Sequence, residues 1–306
     1  GGRPVIPNVS VALAVLLGIT TILAIVAFIN HSAHSMDVSE ILERIRRESI
    51  DQLRDEWDLS DRAEASPIVR ELGDDQHVIR FDRTGWVQEL DTDALLAAIP
   101  ERTGVRLETC AGRYAIAGTP LCAVSPSPRD EEVEQIELLV RACAAVGPTR
   151  TMQQDISYGL RQLADVALKA LSPGINDPTT AQDAIFHSAA ILVEALRRDP
   201  PPGHRDGEAG RWLSAPHQPT RDELVILAFD ETRRAAATQP AVCVYILEAL
   251  STVAETLTAS DHGGRTSELR RQAELTLDGC EHADLRPVDR QIVRNAYHRA
   301  FPDGGD

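Results

Sequence analysis

The chain has 306 residues, 25% of them charged and 4% aromatic, with a net charge of −16. That length allows more than one domain and a sizeable core, and so few aromatics leave Leu, Ile, Val and Ala to fill it, which suits packed helices better than a large β-sandwich. The acidic balance, without a basic stripe interleaved with aromatics, argues against nucleic acid as a partner. Cys110, Cys122, Cys143, Cys243 and Cys280 are scattered without a C-x-x-C spacing. Neither a disulfide framework nor a zinc site is indicated, and a reducing compartment fits. Lys169 is the one lysine; read as a codon bias toward Arg, this lowers what any single Arg says about anion recognition. The chain opens Gly-Gly-Arg and its methionines are Met36 and Met152, so a longer parent protein is expected.

The first element is "VSVALAVLLGITTILAIVAFIN". From Val11 to Ile29 there is no charged residue, a run just long enough as a helix to cross a hydrocarbon core of about 30 Å and longer than the apolar part of a secretory signal. It predicts a transmembrane helix. Arg44, Arg46 and Arg47 follow the span while Arg3 precedes it, so the domain that follows is expected on the cytoplasmic side of the plasma membrane. His31 and His34 lack a third ligand at useful spacing and read as interfacial polar residues. A continuing amphipathic helix is expected next, with Val38, Ile41, Leu42, Ile45, Leu53 and Trp57 at three- to four-residue intervals.

From His77 to Ser125 the runs "HVIRF", "GWVQEL", "GVRLETC", "RYAIA" and "PLCAV" predict short strands around one helix, "DTDALLAAI", capped by Asp91. The expectation is a small β-barrel or half-barrel. "GRYAIAGTPLCAV" is similar to the strand-turn-strand of lipoyl- and biotinyl-type barrels, though without the lysine that such hairpins carry. Beyond Arg129 the chain reads as helical, with "RWLSAP" a candidate short strand, a stop at Gly147-Pro148, a capping box at Thr220-x-x-Glu223, and Pro240 opening another helix. The fold class is therefore mainly α with a small β-barrel-like subdomain. It divides into a transmembrane helix and flanks (1–35), a connecting helix (36–66), a β-rich module (67–128) and an α-helical domain (129–306).

Between two of those helices lies "LSPGINDPTTA". Ser172-Pro173-Gly174 ends one helix, Asn176 or Asp177 caps the next, and Pro178 suits its first turn. The same residues define a candidate ligand or ion site, in which Ser172, Asn176, Asp177 and Thr179 offer oxygens beside a helix N-terminus. Asp165 and Lys169 form an expected surface pair. An enzymatic reading would need the corner to converge with Asp155, Tyr158 or Asp165 in one pocket.

The segment "DISYGLRQLADVALKALSPGINDPTTA", Asp155 to Ala181, resembles the signature of the bacterial domain-of-unknown-function-2254 family of predicted membrane proteins. "INHSAHSMDVSEILERI", "GWVQELDTDALL", "GTPLCAV" and "RDELVILAFDETRRAA" match in the same order along nearly the whole chain. The resemblance implies an integral membrane protein in which this chain supplies the last membrane helix and a large cytosolic domain. It implies no activity, so no catalytic residue carries over.

With no nucleophile–base or metal constellation and no cofactor motif, the leading expectation is a non-enzymatic regulatory or scaffolding domain on a membrane helix, in contact with the bilayer and forming a homo-oligomer through surfaces such as Trp57. A channel or transporter subunit with a cytosolic gating domain is the first alternative. A membrane-anchored enzyme or ligand sensor using the Ser172–Asp177 corner is the second.

Overall fold

A computed structural model describes residues 8–35, 38–59, 70–215 and 219–302. Arg3, Met36, the expected boundary between 66 and 67, and the side chains of His31 and His34 lie outside the described residues. The chain forms two compact units, Gly1–Arg44 and Ile45–Asp306.

The first unit contains α1 (Asn8–Ser35) and the first turns of α2 (Val38–Glu56). On α1 the apolar side chains are exposed all round, with Leu13, Leu16 and Leu23 each more than half accessible. A polar face is what an amphipathic surface helix needs, and the described side chains of α1, residues 11–26, form none. Thr21 donates its hydroxyl to the carbonyl of Leu17 at 2.8 Å, so that polar group is satisfied within the helix, as an apolar solvent requires.

In the second unit α2 runs to Glu56 and leads into β1 (Asp58–Leu59). Then come β2 (His77–Arg80), β3 (Gly85–Leu90), α3 (Thr92–Ala98), β4 (Gly104–Leu107), β5 (Tyr114–Ala115) and β6 (Pro120–Ser125). Asp91 caps α3 by accepting the amide of Ala94 at 2.8 Å. The module is not a barrel. It consists of two open sheets, and the expected hairpin "GRYAIAGTPLCAV" does not pair with itself: β5 joins β3, while both edges of β6 are taken by β2 and β4.

Later segments complete these sheets. After α4 (Asp130–Ala142) comes β7 (Ala144–Gly147), which lies antiparallel to β3. The helix expected to reach Gly147 thus stops at Ala142, because pairing with β3 outweighs the helix preference of the two alanines. After α5 (Ile156–Ala170) and α6 (Pro178–Leu196), β8 (Arg198–Asp199) pairs with β1, and β9 (His204–Asp206) and β10 (Trp212–Ser214) extend the larger sheet. The order of that sheet is β2-β6-β4-β10-β9, with β10 parallel to β4. Gly104 lies opposite Trp212, and a Cβ there would fall 2.2 Å from the indole, so the glycine makes the space that the ring fills. One core, including Ile79, Val87, Leu95, Leu107, Val140 and Leu213, is shared by both sheets, α3 and α4.

The remaining helices are α7 (Arg221–Ala236), α8 (Pro240–Ala259), α9 (Ser267–His282) and α10 (Pro287–Ala300). Thr220 and Glu223 form the expected capping box. Among the described residues α8 is the helix long and apolar enough to cross a membrane, and Val11–Val26 on α1 is a shorter apolar stretch. However, Val242, Ile246, Leu250, Val253 and Leu257 are buried on α8, and it packs on α6, α9 and α10. It is the central helix of the bundle, and α1 is the candidate for the bilayer.

Candidate functional site

The segment Asp155–Ala181 forms α5, the corner and the start of α6. At the corner, Ser172 donates its hydroxyl to the Lys169 carbonyl at 2.7 Å, and its own carbonyl accepts the amides of Ile175 and Asn176 at 3.0 and 2.9 Å. The Asp177 amide reaches back to the Ala170 carbonyl at 2.8 Å. Asn176 takes the left-handed backbone conformation, with φ of 48°, rather than Gly174; Asn tolerates it better than most side chains. The Asp177 carboxylate accepts the Thr180 hydroxyl at 2.6 Å and the Thr180 amide at 3.1 Å. These bonds hold its carboxyl below the ordinary range. Asn176 and Thr179 are exposed. Ser172, Asn176, Asp177 and Thr179 are thus neighbours, and the Ser172 and Asp177 side chains already bond within the corner, joining two helices.

The enzymatic constellation does not assemble. Asp165 pairs with Arg161 at 2.9 Å rather than with Lys169, and Arg161 also reaches Glu231 at 2.8 Å. Asp155 sits at the opposite end of α5. It is 4% exposed and holds Arg150 through contacts of 2.6 and 3.2 Å. Burial pushes its carboxyl up further than Arg150 pulls it down. The Arg150 guanidinium lies over the rings of Tyr158 and Trp86, at 4.9 and 5.5 Å, and Trp86 meets Tyr114 edge-on at 5.2 Å. The group joins α5 to the three-stranded sheet.

Beside this joint, α2 seats on α5. Ser49 is buried, donates to the Ile45 carbonyl at 2.7 Å, and lies 3.7 Å from the Met152 sulfur. A Cβ on Gly159 would fall 2.0 Å from the Ser49 Oγ, so the helices meet with glycine at the crossing. Farther along α2, Arg54 and Arg198 converge on Glu194 at 3.2 and 2.7 Å, and Arg198 donates to the Trp57 carbonyl at 2.8 Å. Burial raises the Glu194 carboxyl, but the two guanidinium groups outweigh it and hold it below the ordinary range. Trp57 itself is buried within the chain. An interior position removes it from the candidate subunit contacts.

The exposed side of α2 forms a cleft of about 650 Å³ with β3 and the turn before α5, lined by Glu48, Asp51, Gln52, Asp55, Glu56 and Glu89, and floored by Met152–Gln154. Gln154 completes the wall: its side-chain Oε1 accepts the Leu90 amide at 2.9 Å. Burial pushes the Glu56 carboxyl up to about 7. Asp55 and Glu89 add to that rise, and the Gln52 hydrogen bond at 2.6 Å opposes it. Among the described residues, no three His, Cys, Asp or Glu side chains are grouped to hold a metal ion. The sequence hinted at α2 through its apolar periodicity. The cleft depends on a β-strand and a turn roughly forty and a hundred residues away, which local pattern does not bring together.

An exposed apolar helix followed by a folded domain with its own core is the arrangement of a candidate membrane protein. The chain belongs to the family described as predicted membrane protein (DUF2254), whose model matches residues 1–252. It is 31% identical over 317 residues to the uncharacterized protein Mb1321c of Mycobacterium bovis and, equally, to the uncharacterized protein Rv1290c of Mycobacterium tuberculosis. Each alignment covers 98% of this chain and 58% of the relative, so the chain spans a little over half the length of the relatives it matches. No solved structure matches it.

Proposed function

We propose that α1 anchors this chain in the plasma membrane and that the Ile45–Asp306 unit is a cytoplasmic domain acting by regulation or scaffolding rather than by catalysis. The observation that carries the regulatory reading is the seat of α2 on α5, where Ser49 meets Gly159 without an intervening side chain. Close helix packing transmits strain, so a change in the position of α2 would be felt along the signature segment. Orientation is supported by Arg44, Arg46 and Arg47 after the span and by five free cysteines. Ligand capture by Ser172, Asn176, Asp177 and Thr179 has weaker support, because Asp177 already serves as the cap of α6.

Protease treatment of inverted and right-side-out vesicles tests the orientation, and ion flux from sealed liposomes separates regulation from transport. The domain is expected to be digested only in inverted vesicles, without flux. Protection there would reverse the orientation, and flux would favour a channel or transporter subunit instead.

A further inference from the structure

We propose that Cys243 and Cys280 are a redox pair, which a hydroperoxide converts into a disulfide that fastens α8 to α9. Their sulfurs lie 3.0 Å apart, and both residues are fully buried. A disulfide needs about 2.05 Å between sulfurs, so an approach of roughly one ångström completes the bond. Cys243 is in the first turn of α8 and Cys280 in the last turn of α9. The two helices form an antiparallel hairpin already closed at its other end by residues 260–266. The bond would therefore close the opposite end of the hairpin.

The chemistry divides between the two sulfurs. Cys280, which donates its S–H to the Cys243 sulfur, is the first to ionise, because that contact holds its thiol below the ordinary range. Its thiolate attacks the terminal peroxide oxygen, the O–O bond breaks and a sulfenic acid forms; the alkoxide, or hydroxide from hydrogen peroxide, takes the proton that Cys280 gave up and departs as an alcohol or water. Cys243 then attacks the Cys280 sulfur, the S–O bond breaks, and the oxygen leaves as water with the Cys243 proton. The sulfurs supply two electrons, and the peroxide receives them. Hydrogen peroxide is small enough to enter as the last turn of α9 opens, and helix ends are where such opening is cheapest. Cys243 now donates to the carbonyl of Ala236, the last residue of α7, at 3.1 Å. Oxidation removes that proton, so the end of α7 also registers the change. The other buried thiols are less reactive: burial pushes Cys122 up to about 12 and raises Cys143.

The test uses the full chain in detergent, exposed to hydrogen peroxide, then unfolded and alkylated. The alkylated thiols should fall by two from the five of the chain, with one linked peptide pair carrying Cys243 and Cys280 in the mass spectrum. The melting temperature should rise by roughly 5–10 °C and return on addition of dithiothreitol. Cys280→Ala should abolish both changes; the reversible shift in the unsubstituted chain keeps the test decisive if that variant folds poorly. Oxidation of the half-buried Cys110 while Cys243 and Cys280 remain alkylatable would overturn the proposal. So would a link joining other cysteines, or a Cys243–Cys280 link that leaves the melting temperature unchanged.

Discussion

The two ends of the segment Asp155–Ala181 are built in opposite ways. At its start, Asp155 is buried with Arg150 under two aromatic rings, and Gly159 receives α2 against its backbone. At its end, the Ser172–Asp177 corner bonds to itself and faces water. A distinctive sequence motif draws attention to its prolines and polar residues, yet here the densest tertiary contacts belong to its plainest part, an aspartate, a tyrosine and a glycine at the head of a helix.

Arg150→Ala gives the strongest way to break that contrast. It leaves the Asp155 carboxylate buried without its partner, and losses of about 3–5 kcal/mol are usual for such a change. Urea unfolding should show a loss in that range, and one below about 1 kcal/mol would mean that the start of the segment is no more critical than the end.

Glu56, in the cleft beside this joint, gives an intermediate effect that depends on pH. Its carboxyl titrates near about 4.3 in an unfolded chain and at about 7 in the folded protein. Between those values the folded form binds the extra proton. Stability from this group is full below the lower value, falls as pH rises through the window, and stays lost above it. Glu56→Gln should flatten that decline, gaining about 1–2 kcal/mol at pH 8 relative to pH 4 once partial exposure is allowed for. Parallel declines in both proteins, measured by denaturant unfolding across pH, would remove Glu56 as the cause.

The smallest effect is expected at the corner. Asp177→Ala removes a cap from an exposed turn, and the melting temperature should drop only slightly. A collapse of the fold there would erase the distinction between the two ends.

Local chemistry was legible in the sequence wherever one turn of chain decides the outcome. Asp91 caps α3, Thr220 and Glu223 form their box, and Asp177 with Pro178 opens α6. The strands from His77 to Ser125 were also legible from their alternation, but not how the sheets are completed, since β3 and β4 each take a second partner, β7 and β10, from later in the chain. Arg161 took Asp165 from Lys169 because both basic residues stand one turn from it and only Arg161 also bridges to α7. The contacts of Ser49 with Gly159 and of Cys243 with Cys280 join helices across long stretches of sequence. No periodicity marks either, and only the packed bundle reveals them.

The parallel pairing of β4 with β10 has a consequence for how the chain is made. Residue 104 leaves the ribosome roughly a hundred residues before residue 212. At about 5–20 residues per second the notch at Gly104 would wait some 5–20 s for its tryptophan. During that interval β4 carries a bare edge, the kind of surface that invites pairing with a neighbouring chain. A nascent chain stalled between α6 and β10 is thus the form of this protein most exposed to mispairing, and it should be the one that most needs protection from its own copies.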